Sequence, residues 1–203
     1  MRTLVPFDPA NPNTRLSSLL SPAERRDFAA AMLADVLAAV REAGGTPTVL
    51  ATEPLDSVDA PVIVDDRSLS VAVNDALAEG RPAAVVMADL ALATPDALER
   101  LFDADADVVI APGRGGGTNA LVVRHPEFSV DYHGTSFLDH VAAAEAAGAS
   151  VEPVDSFRLA VDVDEPADVL DVLVYASGEA ADWLRDAGFR AAVRDGAPTV
   201  VRE

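Results

Sequence analysis

Ala83-Ala84-Val85-Val86-Met87-Ala88-Asp89 runs through six apolar residues into a carboxylate. An unbroken apolar run of this kind marks a strand covered on both faces, at the centre of a parallel sheet. Val108-Val109-Ile110-Ala111 reads as a second buried strand. Outward from these, Leu4-Val5 opens a first strand, with Thr46 to Ala51 and Pro61 to Val64 as the next two. Ala120 to Val123 and Phe157 to Val163 follow as further strands. Between them the apolar spacing turns helical. Phe28, Met32, Val36 and Val40 recur at every fourth position over Ala23 to Ala43, behind the N-cap candidate Ser21 and a first-turn Pro22. Shorter helices are predicted over Ser70 to Glu79, Pro95 to Phe102, Ser136 to Ala147 and Pro166 to Tyr175. Strands alternating with helices predict an α/β doubly wound sheet. Met1 to Tyr175 forms the expected domain. Ala176 to Glu203, with a helical piece around Trp183 and two short β-like pieces, is expected as a C-terminal appendage or as part of the same domain. Its apolar cluster Trp183, Leu184 and Phe189 is a candidate subunit contact.

Half of the 203 residues are hydrophobic and only 5% are aromatic, so the core must be built mainly from Ala, Val and Leu. Fifteen Lys and Arg stand against 34 Asp and Glu, a net charge of −19. Such a field repels nucleic acid and anionic membranes, and neither is an expected partner. The acids are spread along the whole chain, which fits a surface facing molar salt better than an acidic tail. With no cysteine, disulfides, thiolate metal sites and a Cys nucleophile are excluded. No segment approaches the ~18 apolar residues of a membrane span, and the N-terminal run is too short for a signal peptide. The expected location is cytoplasmic.

Asp89 sits at the carboxyl end of a predicted central strand, where open α/β sheets bind ligands. A carboxylate there suits a magnesium ion, and it equally suits a cap on the next helix. Asp162-Val163-Asp164 ends another predicted strand. Two carboxylates on one face repel each other unless a cation neutralises them, although Asp164-Glu165-Pro166 also reads as a helix start. Gly113-Arg114-Gly115-Gly116-Gly117-Thr118-Asn119 is neither a Walker loop nor a dinucleotide turn. It is a flexible loop or a cradle whose N–H groups meet anionic oxygens, and the adjacent Thr118 and Asn119 favour the cradle. Arg15, in the loop Asp8 to Ser21, is placed to grip a triphosphate, whereas Arg25 and Arg26 are expected on the solvated face of the first helix. His125, His133 and His140 have no zinc spacing, and Ser136 lacks the context of a hydrolase nucleophile.

Taken together and in this order, Thr14-Arg15-Leu16, Ala31-Met32-Leu33-Ala34-Asp35-Val36-Leu37, Asp89-Leu90-Ala91-Leu92, Gly115-Gly116-Gly117-Thr118-Asn119-Ala120-Leu121, Ser136-Phe137-Leu138-Asp139-His140 and Asp162-Val163-Asp164-Glu165-Pro166-Ala167-Asp168-Val169 resemble the 2-phospho-L-lactate guanylyltransferase family of coenzyme F-420 biosynthesis. The resemblance runs from about Leu4 to Leu173, and the Gly-Gly-Thr-Asn-Ala-Leu string is its most specific part. It implies a GT-A-like mixed sheet flanked by helices, GTP as donor, magnesium as cofactor and a small phosphorylated hydroxy acid as acceptor. It implies metal ligation by Asp89, Asp162 and Asp164. Thr118 and Ser136, with Gly134 and the Gly117 backbone, would contact the acid. Asn74, like the family's Asn preceding a helix, would face the nucleotide, and a homodimer is the implied assembly. Phosphoenolpyruvate or 3-phosphoglycerate in place of phospholactate, and a non-catalytic nucleotide-binding protein, are the alternatives. The chain departs from the family at Phe7-Asp8 and Asn13, where lysines are usual, and at Ala91, where proline is.

Overall fold

The computed structural model describes residues 1–203. Strand β1 (Arg2–Phe7) leads through a loop with one 3-10 turn (Thr14–Ser18) into α1 (Pro22–Glu42), and β2 (Thr46–Ala51), β3 (Val62–Val64) and α2 (Leu69–Ala78) follow. Then come β4 (Ala83–Val86), α3 (Pro95–Asp103), β5 (Val108–Pro112), β6 (Thr118–Val123), α4 (Ser136–Ala146) and β7 (Val151–Pro153). The chain ends in α5 (Phe157–Ala160), α6 (Asp168–Tyr175), α7 (Glu179–Asp186), β8 (Phe189–Arg194) and β9 (Ala197–Arg202). Seven strands form one sheet in the order β3-β2-β1-β4-β6-β5-β7, and β8-β9 is a separate hairpin. Only β6 runs antiparallel to its neighbours, β4 and β5. The sheet is therefore mixed, as the resemblance implied.

The apolar run that defines β4 lies at the centre of the sheet, and its side chains alternate between two cores. Ala83 and Val85 pack with Ala72, Val73, Ala76 and Leu77 of α2. Ala84 and Val86 pack with Val36, Leu37 and Val40 of α1 and with Leu98 and Leu101 of α3. This two-residue period under helices on both faces is why the run carries no polar residue before its end. α1 begins as its sequence predicts. Ser21 Oγ accepts from the Glu24 N–H, and the Glu24 carboxylate accepts from the Ser21 N–H, a reciprocal capping box with Pro22 in the first turn.

Four expectations are corrected. Phe157 to Val163 is not a strand. It is one helical turn, α5, followed by a segment that crosses the carboxyl ends of the sheet with Val161 and Val163 buried. Alternating burial in this crossover imitates the period of a strand. An edge strand is instead β7, Val-Glu-Pro, only three residues long, which gives little signal in sequence. Arg25 is not solvated. It is 8% exposed and donates to the Pro12 and Leu20 carbonyls and to Asn11 Oδ1, because the preceding loop folds back over the first turn of α1. Trp183, Leu184 and Phe189 form no outward cluster. Leu184 and Phe189 are buried, and Trp183 packs on Phe28 of α1 with ring centroids 5.3 Å apart. Asn74 does not precede a helix but lies inside α2, and both ends of its amide are used by the Val130 backbone.

The C-terminal segment is tied to α1 by polar contacts as well. The Asp35 carboxylate accepts from the Glu179 and Ala180 N–H groups at 2.7 and 2.9 Å, capping α7 from another helix. Arg202 of β9 donates to Glu24, whose carboxyl falls to about 2 chiefly through that bond and then through Ser21. No helix is long and apolar enough to cross a membrane.

Candidate active site

The carboxyl end of β4 carries Asp89. The ladder to β6 continues one residue past β4, with the Met87 N–H on the Asn119 carbonyl at 3.0 Å. The crossover segment then closes over this end, its Val163 N–H donating to the Asp89 carbonyl at 3.1 Å. Asp89 Oδ1 is sealed from solvent and has no hydrogen-bond partner. Burial first, and the charge of Asp162 second, push the Asp89 carboxyl up to about 7. The next helix, α3, takes Thr94 as its N-cap residue, so Asp89 does not cap it.

Asp162 is held beside it. Asn119 Nδ2 donates to Asp162 Oδ1 at 3.2 Å and to the Leu159 carbonyl at 3.0 Å. Gly113 makes room for that amide, since a Cβ at 113 would lie 2.5 Å from Asn119 Oδ1. Asp164 stands apart: its carboxylate is paired with Arg15. Asp164 does not cap the next helix, whose N-cap residue is Ala167; Asp168, the first residue of α6, braces the turn ahead of it, its Oδ2 accepting from the Asp164 and Glu165 N–H groups at 3.0 and 2.7 Å. Arg114 of the glycine loop bonds Asp168 Oδ1 at 2.6 Å and Asp171 at 3.1 Å. The structure thus brings Asp89 and Asp162 together, with the Arg15–Asp164 pair alongside. No three His, Asp or Glu side chains converge as a ready metal cage.

A cavity of about 160 Å³ opens beside Asp89, walled by Phe7, Asp8, Asn13, Met32 and Met87 among others. Asn13 bridges the first loop to the crossover, its Nδ2 donating to the Val163 carbonyl at 2.8 Å. A larger recess of about 480 Å³ lies between α1 and Leu55 to Asp59; it shares Phe7 but includes none of the predicted site residues.

The glycine loop turns β5 into β6 and is well organised. The Gly113 N–H meets the Gly117 carbonyl at 2.9 Å, Arg114 N–H the Ala160 carbonyl at 2.9 Å, and Gly116 adopts φ +85°. The N–H groups of Gly115 and Gly117 make no hydrogen bond within the chain. Below them Thr118 and Ser136 are each 4% exposed, and the Thr118 N–H donates to Ser136 Oγ at 3.0 Å. Gly134, at φ +48°, is exposed just ahead of α4. The predicted acid contacts therefore lie together at the loop and the α4 N-terminus. Asn74, expected to face the nucleotide, has its amide engaged by the Val130 backbone. Sequence reasoning gave no structural role to Asn13, Asp168 and His140, whose polar contacts reach Val163, Arg114 and Thr118. It also missed what the Asn119 side chain holds. The pairing of Thr118 with Asn119 beside three glycines was the one local signal.

The family model described as "Guanylyl transferase CofC like" matches residues 1–202. A 2-phospho-L-lactate guanylyltransferase from Halobacterium salinarum is 60% identical over 206 residues, covering 100% of this chain and 99% of that protein. Another of the same name, from Halomicrobium mukohataei, is 59% identical over 203 residues and covers 100% of both. Among solved structures, a protein described as a nucleotide-diphospho-sugar transferase from Desulfovibrio desulfuricans superposes with a TM-score of 0.75 over 91% of this chain and 94% of its own, at 14% identity, a likeness of fold. Matched along essentially its whole length, the chain belongs to the CofC-like guanylyl transferase family.

Proposed function

We propose that the protein transfers GMP from GTP to 2-phospho-L-lactate, giving lactyl-2-diphospho-5'-guanosine and pyrophosphate. Relatives of that name, alike over the full chain, support the substrate pair. The observation that carries the chemistry is the Asp89–Asp162 pair with its orphaned oxygen at the carboxyl end of the sheet.

The donor set fits a divalent cation, with magnesium the expected ion: both ligands are hard oxygens, one is buried without a partner, and each repels the other. When bound, such an ion neutralises these carboxylates together with the phosphates they would otherwise repel. Asp164 would join the pair once Arg15 leaves it for the β- and γ-phosphates. The chain contains no lysine, so arginine must supply that charge. The Gly115 and Gly117 N–H groups, with the Thr118 and Ser136 hydroxyls, would hold the acid. An oxygen of its phosphate, already ionised near neutral pH, forms a bond to the α-phosphorus of GTP. The α–β bridging bond breaks in line and its electrons leave on pyrophosphate. No strong base is needed, and catalysis is positioning with charge neutralisation.

Pyrophosphate release from GTP in molar potassium chloride tests this. Release is expected with 2-phospho-L-lactate and to be much weaker with phosphoenolpyruvate or 3-phosphoglycerate. Preference for either of those corrects the acid, and silence with all three overturns the activity.

A further inference from the structure

His140 is fully buried in α4, directly behind the loop, and the mechanism above gives it nothing to do. Phe128 and Tyr132 pack edge-on against its ring, with centroids at 6.0 and 5.1 Å. It makes two hydrogen bonds. The Asp131 N–H lies 2.9 Å from Nε2, and Thr118 Oγ1 lies 2.9 Å from Nδ1.

These partners fix the proton. A backbone N–H only donates, so Nε2 must offer its lone pair. Burial pushes the ring's pKa down, and the nearby Asp131 and Asp139 only partly offset this, so the ring is neutral and its single proton is on Nδ1. Nδ1–H therefore donates to Thr118 Oγ1. A hydroxyl that accepts there keeps its own proton for another partner. Ser136 Oγ is constrained in the same way, because it accepts the Thr118 N–H. Beside them the Gly115 and Gly117 N–H groups are also unused. The polar groups of the loop and the α4 N-terminus are thus left with hydrogens to offer, which suits carboxylate and phosphate oxygens in a chain without lysine. The opposite tautomer would draw the Thr118 proton inward and turn lone pairs toward the anion.

We propose that His140 is a positioning residue that sets the Thr118 hydroxyl as a hydrogen-bond donor to the acid substrate. The proposal rests on the reading that Thr118 and Ser136 bind that acid. Its supports reach further back: Asn74 of α2 clamps Val130, and Ser70 accepts the Tyr132 N–H at 2.8 Å, so α2 holds the Asp131 N–H in place over the ring.

Two substitutions separate this role from packing. In His140→Gln the amide reaches the Nε2 position and can still accept from Asp131, but Thr118 loses its donor. In His140→Asn the amide nitrogen falls near Nδ1 and can still donate to Thr118, but Asp131 loses its acceptor. Gln is expected to raise KM for the acid about ten-fold with KM for GTP unchanged, and Asn to recover most of that loss. Equal defects in both variants, or defects that follow Tm and affect GTP as well, would overturn the proposal. The wild-type protein gives a second readout that needs no variant. Its imidazole nitrogen-15 spectrum should show protonated Nδ1 and bare Nε2, and the reverse would overturn the proposal outright. Thr118→Val isolates the underlying reading. If it leaves KM for the acid untouched, the acid site is misplaced. If it raises that KM and His140→Gln does not, only the role of His140 fails.

Discussion

Replacing Asp89 by Asn removes the charge that the fold most resists. The Asp89 carboxyl is pushed up to about 7 from an ordinary 3.8, first by burial and then by Asp162. Unfolded, the group is ionised above about pH 4; folded, it keeps its proton to about pH 7. Between those values the folded state binds one more proton than the unfolded chain. Stability from this group must therefore fall as pH rises through the window, by at most about 1.4 kcal/mol per pH unit, and level off above it. The total is bounded at about 4 kcal/mol, and relaxation of the site would lower it. Asn cannot ionise and has no such slope. Urea unfolding of both proteins across the window, with chelator and molar potassium chloride, gives the difference that isolates Asp89 from the other acids. The variant should gain on the wild type as pH rises, and magnesium should narrow the gap by stabilising the wild type alone. Parallel curves would refute the reasoning, because Asp89 would then ionise in the fold at no cost and have no need of a cation.

Two further outcomes test the surface and the C-terminal segment. At a net charge of −19, molar potassium chloride, with a Debye length of about 3 Å at 1 M, should raise Tm by screening self-repulsion; a flat or falling Tm in a calorimetric salt series would remove salt adaptation as the reason for the acids. Asp35→Ala deprives α7 of both its N–H acceptors and should cost about 1 kcal/mol in urea unfolding; an unchanged midpoint would mean that apolar packing alone seats α7 on α1.

The sheet was legible because its strands advertise themselves. β4 and β5 are unbroken apolar runs, and α1 carries both a four-residue apolar repeat and a capping box. The failures share a cause: each residue answers to partners that local spacing does not announce. Arg25 is buried because loop carbonyls need its guanidinium. Trp183 turns inward because Phe28 offers it a face. Leu159, Val161 and Val163 alternate like a strand but cross the strand ends. The place of Asp89 at the carboxyl end of the sheet was readable because it closes a central apolar run, while ligand and cap stood equal there. That Arg15 holds Asp164, and Asn119 holds Asp162, was not readable.

The reversed strand explains why the two halves of the site meet. Because β6 runs antiparallel to β4, it begins where β4 ends, and its first residues arrive beside Asp89. Along β6, Leu121 and Val123 face the α2–α4 side while Ala120 and Val122 face α1 and α3. Strict alternation would send Thr118 to the α1 side and Asn119 to the α4 side. The register slips there instead: Ala111 pairs with Ala120 but Pro112 pairs with Thr118, leaving Asn119 as an extra residue. The bulge exchanges the two faces. Thr118 turns to Ser136 and His140 on α4, and Asn119 turns to Leu159 and Asp162. One irregularity at the head of one strand thus aims adjacent side chains at α4 and at the carboxylate pair, fixing the two against each other.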